Sequence, residues 1–193
     1  PVADEIRAAA ARIPDQDLAP DGREVSPHLT VKYGIHTQDV SEVRKALEGQ
    51  QPIRVLLGKT SLFENPEHDV VKVDVKGPAL HALNKRIADA LPHTDTHPDY
   101  KPHITLAYVK KGLGEKYAGD ASLAGKSIRI DRITFSDRDG NKTEIRLGAD
   151  QAKSLPDPAT MPRVALVKEL QDGGVEVPKG TPQKDLISAL KQL

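Results

Sequence analysis

Two histidines in matching surroundings, His28 and His103, are the residues of this chain best suited to chemistry. Ser26-Pro27-His28-Leu29-Thr30-Val31-Lys32-Tyr33 aligns with Lys101-Pro102-His103-Ile104-Thr105-Leu106-Ala107-Tyr108, 75 residues further on. Pro, His, Thr and Tyr are identical at the same spacing, and both neighbours of each Thr are aliphatic, which marks an internal repeat. Side chains alternate along a strand, so His28, Thr30 and Lys32 share one face, as do His103, Thr105 and Ala107. Leu29, Val31 and Tyr33, with Ile104, Leu106 and Tyr108, are expected to pack inward. If the two copies pair about a pseudo-twofold axis, their His-Thr pairs face each other across one cleft. One imidazole near its ordinary pKa of about 6.5 accepts a proton from an attacking hydroxyl or water, and the other, protonated, donates to the leaving oxygen. Such placed acid-base groups are worth roughly 10²–10⁴-fold in rate. The hydroxyls of Thr30 and Thr105 can hold the non-bridging phosphate oxygens. The chemistry that follows is metal-independent cleavage of a phosphodiester, with no cofactor. A duplicated strand retained for packing accounts for the aliphatic residues and for Tyr33 and Tyr108. It does not account for identical polar residues on the outward face.

These paired His-aliphatic-Thr-aliphatic motifs resemble those of the 2H phosphoesterase superfamily, which includes the LigT-like RNA phosphodiesterases. The resemblance spans roughly residues 1 to 148. It implies a bilobal α+β domain with two antiparallel sheets around a central cleft. It also implies that His28 and His103 are the catalytic pair and that Thr30 and Thr105 are their substrate-binding partners. Activities in the family include opening 2′,3′-cyclic phosphates, cleaving 2′-5′ or 3′-5′ linkages and, in some viral members, destroying cyclic nucleotide signals. The motif does not choose among these.

The elements that position the motifs can be read from periodicity. Ile6, Ala9, Ala10 and Ile13 predict a short helix ended by Pro14. Asp15 to Ser26 reads as turn, with Pro20-Asp21-Gly22 at its centre. A strand is expected over Pro27 to Tyr33, then a helix over Val40 to Leu47 ended by Gly49. Ile53, Val55 and Leu57 alternate as a strand, as do Val71, Val73 and Val75. Pro78 opens a helix burying Leu80, Leu83, Ile87 and Leu91. A Pro-, His- and Asp-rich loop leads to a strand from Pro102 to Val109. Ile128 and Ile130 have one parity and Ile133 and Phe135 the other, which predicts a bulge or bend near Asp131-Arg132. Asp139-Gly140-Asn141 predicts a hairpin into Thr143, Ile145 and Leu147.

Residues 149–163 read as a linker with three prolines. Residues 164–193 read as a small two-helix module that resembles the SAP and LEM helix-extension-helix groups through Lys179-Gly180-Thr181 and Lys184-Asp185-Leu186-Ile187. With four basic and four acidic residues it is formally neutral. Contact with either protein or DNA is therefore open to it, and appended modules of this kind occur in phage proteins.

Composition narrows the classes. Lys plus Arg equal Asp plus Glu at 28 each, whereas a grip on long nucleic acid usually needs a basic surplus. A nucleotide or short RNA-type substrate fits better. Without cysteine there are no disulfides or thiolate metal sites. No apolar run approaches the roughly 20 residues of a membrane span, and Asp4 and Glu5 make the first residues too polar for a signal peptide. A cytoplasmic protein is expected, in a host cytoplasm if it is viral. Lys32 is a candidate phosphate contact or a solvated strand-end lysine. Tyr100 and Phe63 are candidates for base stacking or, in a chain with only 3% aromatic residues, for core or rim positions. His93 and His97 have helical metal spacing but lie between Pro92 and Pro98, so no metal site is assigned. Gly112-x-Gly114 lacks the strand-turn-helix setting of a dinucleotide fingerprint. A non-catalytic binder of a cyclic nucleotide or RNA end, and a viral structural protein, are the competing readings. Intact His and Thr in both motifs favour the enzyme.

Overall fold

A computed structural model of the chain describes residues 2–97, 99–148, 162–172, 177–178 and 180–190. The chain divides into two compact units, Pro1–Ala149 and Asp150–Leu193. In chain order the first contains α1 (Val2–Ala11), β1 (Leu18–Arg23), α2 (Val40–Ala46), β2 (Ile53–Glu64), β3 (His68–Lys76), α3 (Pro78–Ala90), β4 (His103–Lys110), β5 (Ser127–Ile130), β6 (Arg132–Ser136) and β7 (Lys142–Arg146). Five strands form an antiparallel sheet in the order β1-β4-β3-β2-β5, and β6 and β7 form a second, two-stranded sheet. The class is α+β, with both sheets antiparallel.

The inner face of the large sheet is built by alternation. Val55, Leu57, Val71, Val73, Ile104 and Leu106 are buried there. Against it lie α1, which contacts β4, and α3, which contacts β2. Leu80 and Leu83 on α3 are fully buried. Truncating either to Ala is expected to cost about 2–5 kcal/mol. The change of parity after Ile130 proves to be a bend that moves the chain from one sheet to the other. The β6–β7 hairpin closes where expected, with Asp137 Oδ1 accepting from Asp139 N at 3.0 Å and Asn141 N at 2.8 Å.

Two expectations are corrected. The turn-rich stretch before the first motif contains a strand. β1 runs at the sheet edge beside β4, with Leu18 opposite Val109 and Arg23 opposite Ala107, so its register slips between them. An edge position tolerates Pro20, and Gly22 at φ +70° takes up the irregularity. Conversely, residues 27–33 form no regular strand, and the chain bends at Val31. Leu29 makes a single bridge to Ile104, and Ile35 one to His93. Two of the backbone acceptors between them are taken by side chains, and the Gly34 carbonyl accepts from the Thr94 N–H at 3.0 Å. Tyr100 Oη donates to the Thr30 carbonyl at 2.9 Å, and Asn84 Nδ2 donates to the Val31 carbonyl at 2.6 Å. Alternation consequently fails after Val31. Tyr33, expected to pack inward, is 72% exposed.

The second unit contains α4 (Arg163–Asp172) and α5 (Gln183–Leu190), which bury Leu166, Leu170 and Leu186 together. Arg163 therefore opens a helix, and the rest of the expected linker lies outside the described residues except Pro162. Among the described residues no helix is long and apolar enough to cross a membrane.

Candidate active site

The bridge between Leu29 and Ile104 organises the site. It is antiparallel, so the flanking residues oppose each other in reverse order: His28 faces Thr105, and Thr30 faces His103. Leu29 and Ile104 are themselves equivalent in the repeat, so the pseudo-twofold axis passes through their pairing. All four polar side chains lie on the side of the pairing opposite Leu29 and Ile104. Diagonal neighbours in such a pairing are about 7–8 Å apart, a spacing that admits a phosphate between two imidazoles.

Both rings are held in the same way. His28 Nδ1 lies 3.0 Å from the Ser26 carbonyl oxygen, and His103 Nδ1 lies 2.7 Å from that of Lys101. A carbonyl only accepts, so Nδ1 carries the hydrogen in each. Nε2 is then the free nitrogen on both rings, an acceptor when the ring is neutral and a donor when it is charged. Pro27 and Pro102 follow these carbonyls and keep the preceding residues extended.

The surroundings differ. The His28 side chain is 64% exposed, with Glu24 Oε2 3.8 Å from Nδ1. Glu24 is positioned by the Ser26 N–H, which donates to Oε1 at 2.8 Å. His103 is half-buried, with the Phe63 ring edge-on at 4.8 Å. On β3, Asp74 is opposite His103 and Lys72 is opposite Thr105. Burial holds His103 below the ordinary histidine range; the charges of Lys72 and His28 push the same way, and the Lys101 carbonyl and Asp74 push back. Burial alone would raise Asp74, but hydrogen bonds from Lys72 and Ser61 outweigh it and keep this carboxyl low.

The remaining candidates fall out differently. The Lys32 side chain is 5% exposed, and its ammonium is ion-paired with Asp95 at 2.5 Å. It therefore offers no free cation to a phosphate. Tyr100 is half-buried, edge-on to His81 at 5.4 Å, and its hydroxyl supports the Thr30 backbone. It is placed to hold the first motif. Burial raises the Tyr100 phenol above its ordinary value, so it remains a donor. His93 makes its own contacts, with the Leu91 carbonyl at 2.9 Å and Asp95 at 3.4 Å, and neither it nor His97 lies on a helix. Among the described residues, no three His, Asp or Glu side chains gather at metal-ligand spacing. Lys72, Asp74 and Ser61 were not singled out from the sequence. The only signal of Lys72 and Asp74 there is charge on the outward positions of a strand, which usually means a solvated face, and Ser61 carries none.

The family model for the 2′-5′ RNA ligase superfamily matches residues 1–142. No curated protein matches the chain. Among solved structures, TT0787 of Thermus thermophilus is 18% identical, covers 75% of this chain and 90% of its own, and superposes with a TM-score of 0.48. Usb1 of Kluyveromyces marxianus with uridine monophosphate is 13% identical, covers 76% and 90%, and has a TM-score of 0.48. E. coli LigT complexed with 3′-AMP is 19% identical, covers 74% and 88%, and has a TM-score of 0.45.

Proposed function

The chain belongs to the 2′-5′ RNA ligase superfamily, the 2H phosphoesterases, and from that premise we propose that it is a metal-independent phosphodiesterase in which His28 and His103 are acid and base. The observation that carries the reading is the antiparallel Leu29–Ile104 bridge, which sets each histidine opposite the other motif's threonine with both Nε2 atoms free. One neutral ring takes the proton of an attacking water or ribose hydroxyl as the new P–O bond forms. The old P–O bond breaks, and the other ring, protonated, gives its proton to the leaving oxygen. Thr30 and Thr105 donate to the non-bridging oxygens, where charge builds in the transition state. No step requires a metal.

One further observation favours a short strand over a mononucleotide. The outer face of the large sheet, which carries His103 and Thr105, also carries Arg54, Lys76 and Arg129. All three are exposed, and among the described residues none has an acidic partner. Arg54 and Arg129 are directly cross-strand, a like-charge pairing that destabilises a sheet by itself and that a polyanion relieves. Overall neutrality therefore conceals a basic face. The α4–α5 unit serves contact with protein or DNA, outside this chemistry.

The test is turnover of a 2′,3′-cyclic nucleotide and of short oligonucleotides with chelator present. Expected are cleavage of both, and a KM for the oligonucleotide that rises with salt while that for the mononucleotide changes little. Absence of cleavage across a panel of cyclic mono-, di- and trinucleotides and of 2′-5′ and 3′-5′ linked oligonucleotides contradicts the assignment.

A further inference from the structure

The repeat makes the two histidines equivalent, yet only one of them stands on a built cluster. Lys72, in β3, has a side chain 6% exposed. Its ammonium donates to Ser61 Oγ at 2.6 Å and to Asp74 Oδ1 at 2.7 Å, and it sits 4.2 Å from the centroid of the Phe63 ring. Ser61 Oγ donates in turn to Asp74 Oδ1 at 2.6 Å, closing a triangle. An ammonium has three donors. Two are taken by oxygens and the third side by the ring face, so none is left to reach a phosphate. Lys72 therefore acts through its neighbours, which are the neighbours of His103: Phe63 is edge-on to the imidazole, and Asp74 is its cross-strand partner.

We propose that the Ser61–Phe63–Lys72–Asp74 cluster is a positioning device that makes His103 the proton acceptor and leaves His28 the proton donor. The proposal rests on the two-histidine reading above and assigns the roles that reading leaves open. The groups that face His103 are Phe63 from β2, Lys72 and Asp74 from β3, His28 across the pairing and the Lys101 carbonyl. Phe63 removes water from the ring, and the buried ammonium opposes a second positive charge beside it. Asp74 pulls the other way, but its Oδ1 already accepts from Lys72 and Ser61. The charged groups facing His28 are Glu24, at 3.8 Å, and His103. His28 is the more exposed of the two rings and the one with a carboxylate beside it. The attacking oxygen's proton then passes to His103 Nε2 as that oxygen bonds to phosphorus. The leaving oxygen departs with the electron pair of its bond and takes a proton from His28 Nε2.

The experiment follows the two imidazole Cε1–H signals by NMR against pH in the full chain, without substrate, for the wild type, Lys72→Met and Lys72→Arg. It is paired with kcat/KM against pH on a 2′,3′-cyclic nucleotide. In the wild type His103 titrates below the ordinary histidine range. Lys72→Met moves the His103 midpoint upward and carries the acidic limb of kcat/KM with it. Lys72→Arg retains the wild-type His103 midpoint. Phe63→Leu, which admits water to the imidazole and leaves the hydrogen bonds of Lys72 to Ser61 and Asp74 in place, also raises the His103 midpoint and provides a second variant if Lys72→Met does not fold. A wild-type protein in which His103 titrates within or above the ordinary histidine range overturns the proposal. So does a Lys72→Met enzyme slowed equally at every pH with both midpoints unmoved, which marks a purely structural lysine. The titrations need no turnover, so a failure of the phosphodiesterase reading and a failure of this one are separate outcomes.

Discussion

Replacing Tyr100 by Phe removes one oxygen and leaves the ring. That oxygen donates to the Thr30 carbonyl at 2.9 Å, one of two side-chain hydrogen bonds that hold the first motif where a strand ladder would otherwise hold it. Thr30 is exposed, so water can replace the lost donor, and the net loss is that of an ordinary hydrogen bond, about 0.5–1.5 kcal/mol. Felt in the placement of the Thr30 hydroxyl and the adjacent His28 in the transition state, this is about a 2- to 12-fold fall in kcat. The same loss in stability lowers Tm by only about 1–6 °C for a chain of this size. The ring's edge contact with His81, 5.4 Å between centroids, survives the change. The assay is steady-state kinetics on a cyclic nucleotide for Tyr100→Phe and Tyr100→Ala. Expected is a lower kcat with KM nearly unchanged in Tyr100→Phe, and a larger fall of the same kind in Tyr100→Ala. If Tyr100 instead stacks on a base, Tyr100→Phe is silent and Tyr100→Ala raises KM. That pattern would refute the positioning argument.

Three further outcomes are expected. Gly34→Ala destabilises the protein by more than about 1 kcal/mol in thermal or urea unfolding: Gly34 has φ +75°, and an added Cβ would lie 2.1 Å from the Thr94 carbonyl oxygen; a neutral substitution would show that this turn does not hold the first motif. EDTA leaves the rate unchanged, and loss on chelation with rescue by Zn²⁺ or Mn²⁺ would assign a metal to the reaction. Removing residues 149–193 leaves hydrolysis of a small substrate nearly intact, and a folded but inactive truncation would show that the second unit completes the site.

The repeat was legible because its polar residues have no packing purpose. That one observation located all four residues of the pairing, and alternation located the inner faces of β2, β3 and β4. What escaped was set by contacts distant in sequence. Residues 27–33 have the alternation of a strand, but Asn84 and Tyr100, far along the chain, claim the carbonyls a ladder would use. β1 is hidden by Pro20-Asp21-Gly22, residues that normally break strands and are tolerated at this edge by a slipped register. Lys32 and Lys72 show the same limit. On paper both are exposed strand lysines. In the fold each is buried, one against Asp95 and the other against Asp74 and Phe63. Burial of a long charged side chain depends on a partner that periodicity does not reveal.

The central claim, that His28 and His103 act as one acid-base pair, is tested most directly by kcat for His28→Ala, His103→Ala and the double variant on one 2′,3′-cyclic nucleotide, with circular dichroism to establish that each is folded. Each single change is predicted to lower kcat by roughly 10²-fold or more. The double variant should be little slower than the worse single, because groups that act as a unit do not add. Full activity in either folded single variant contradicts the account.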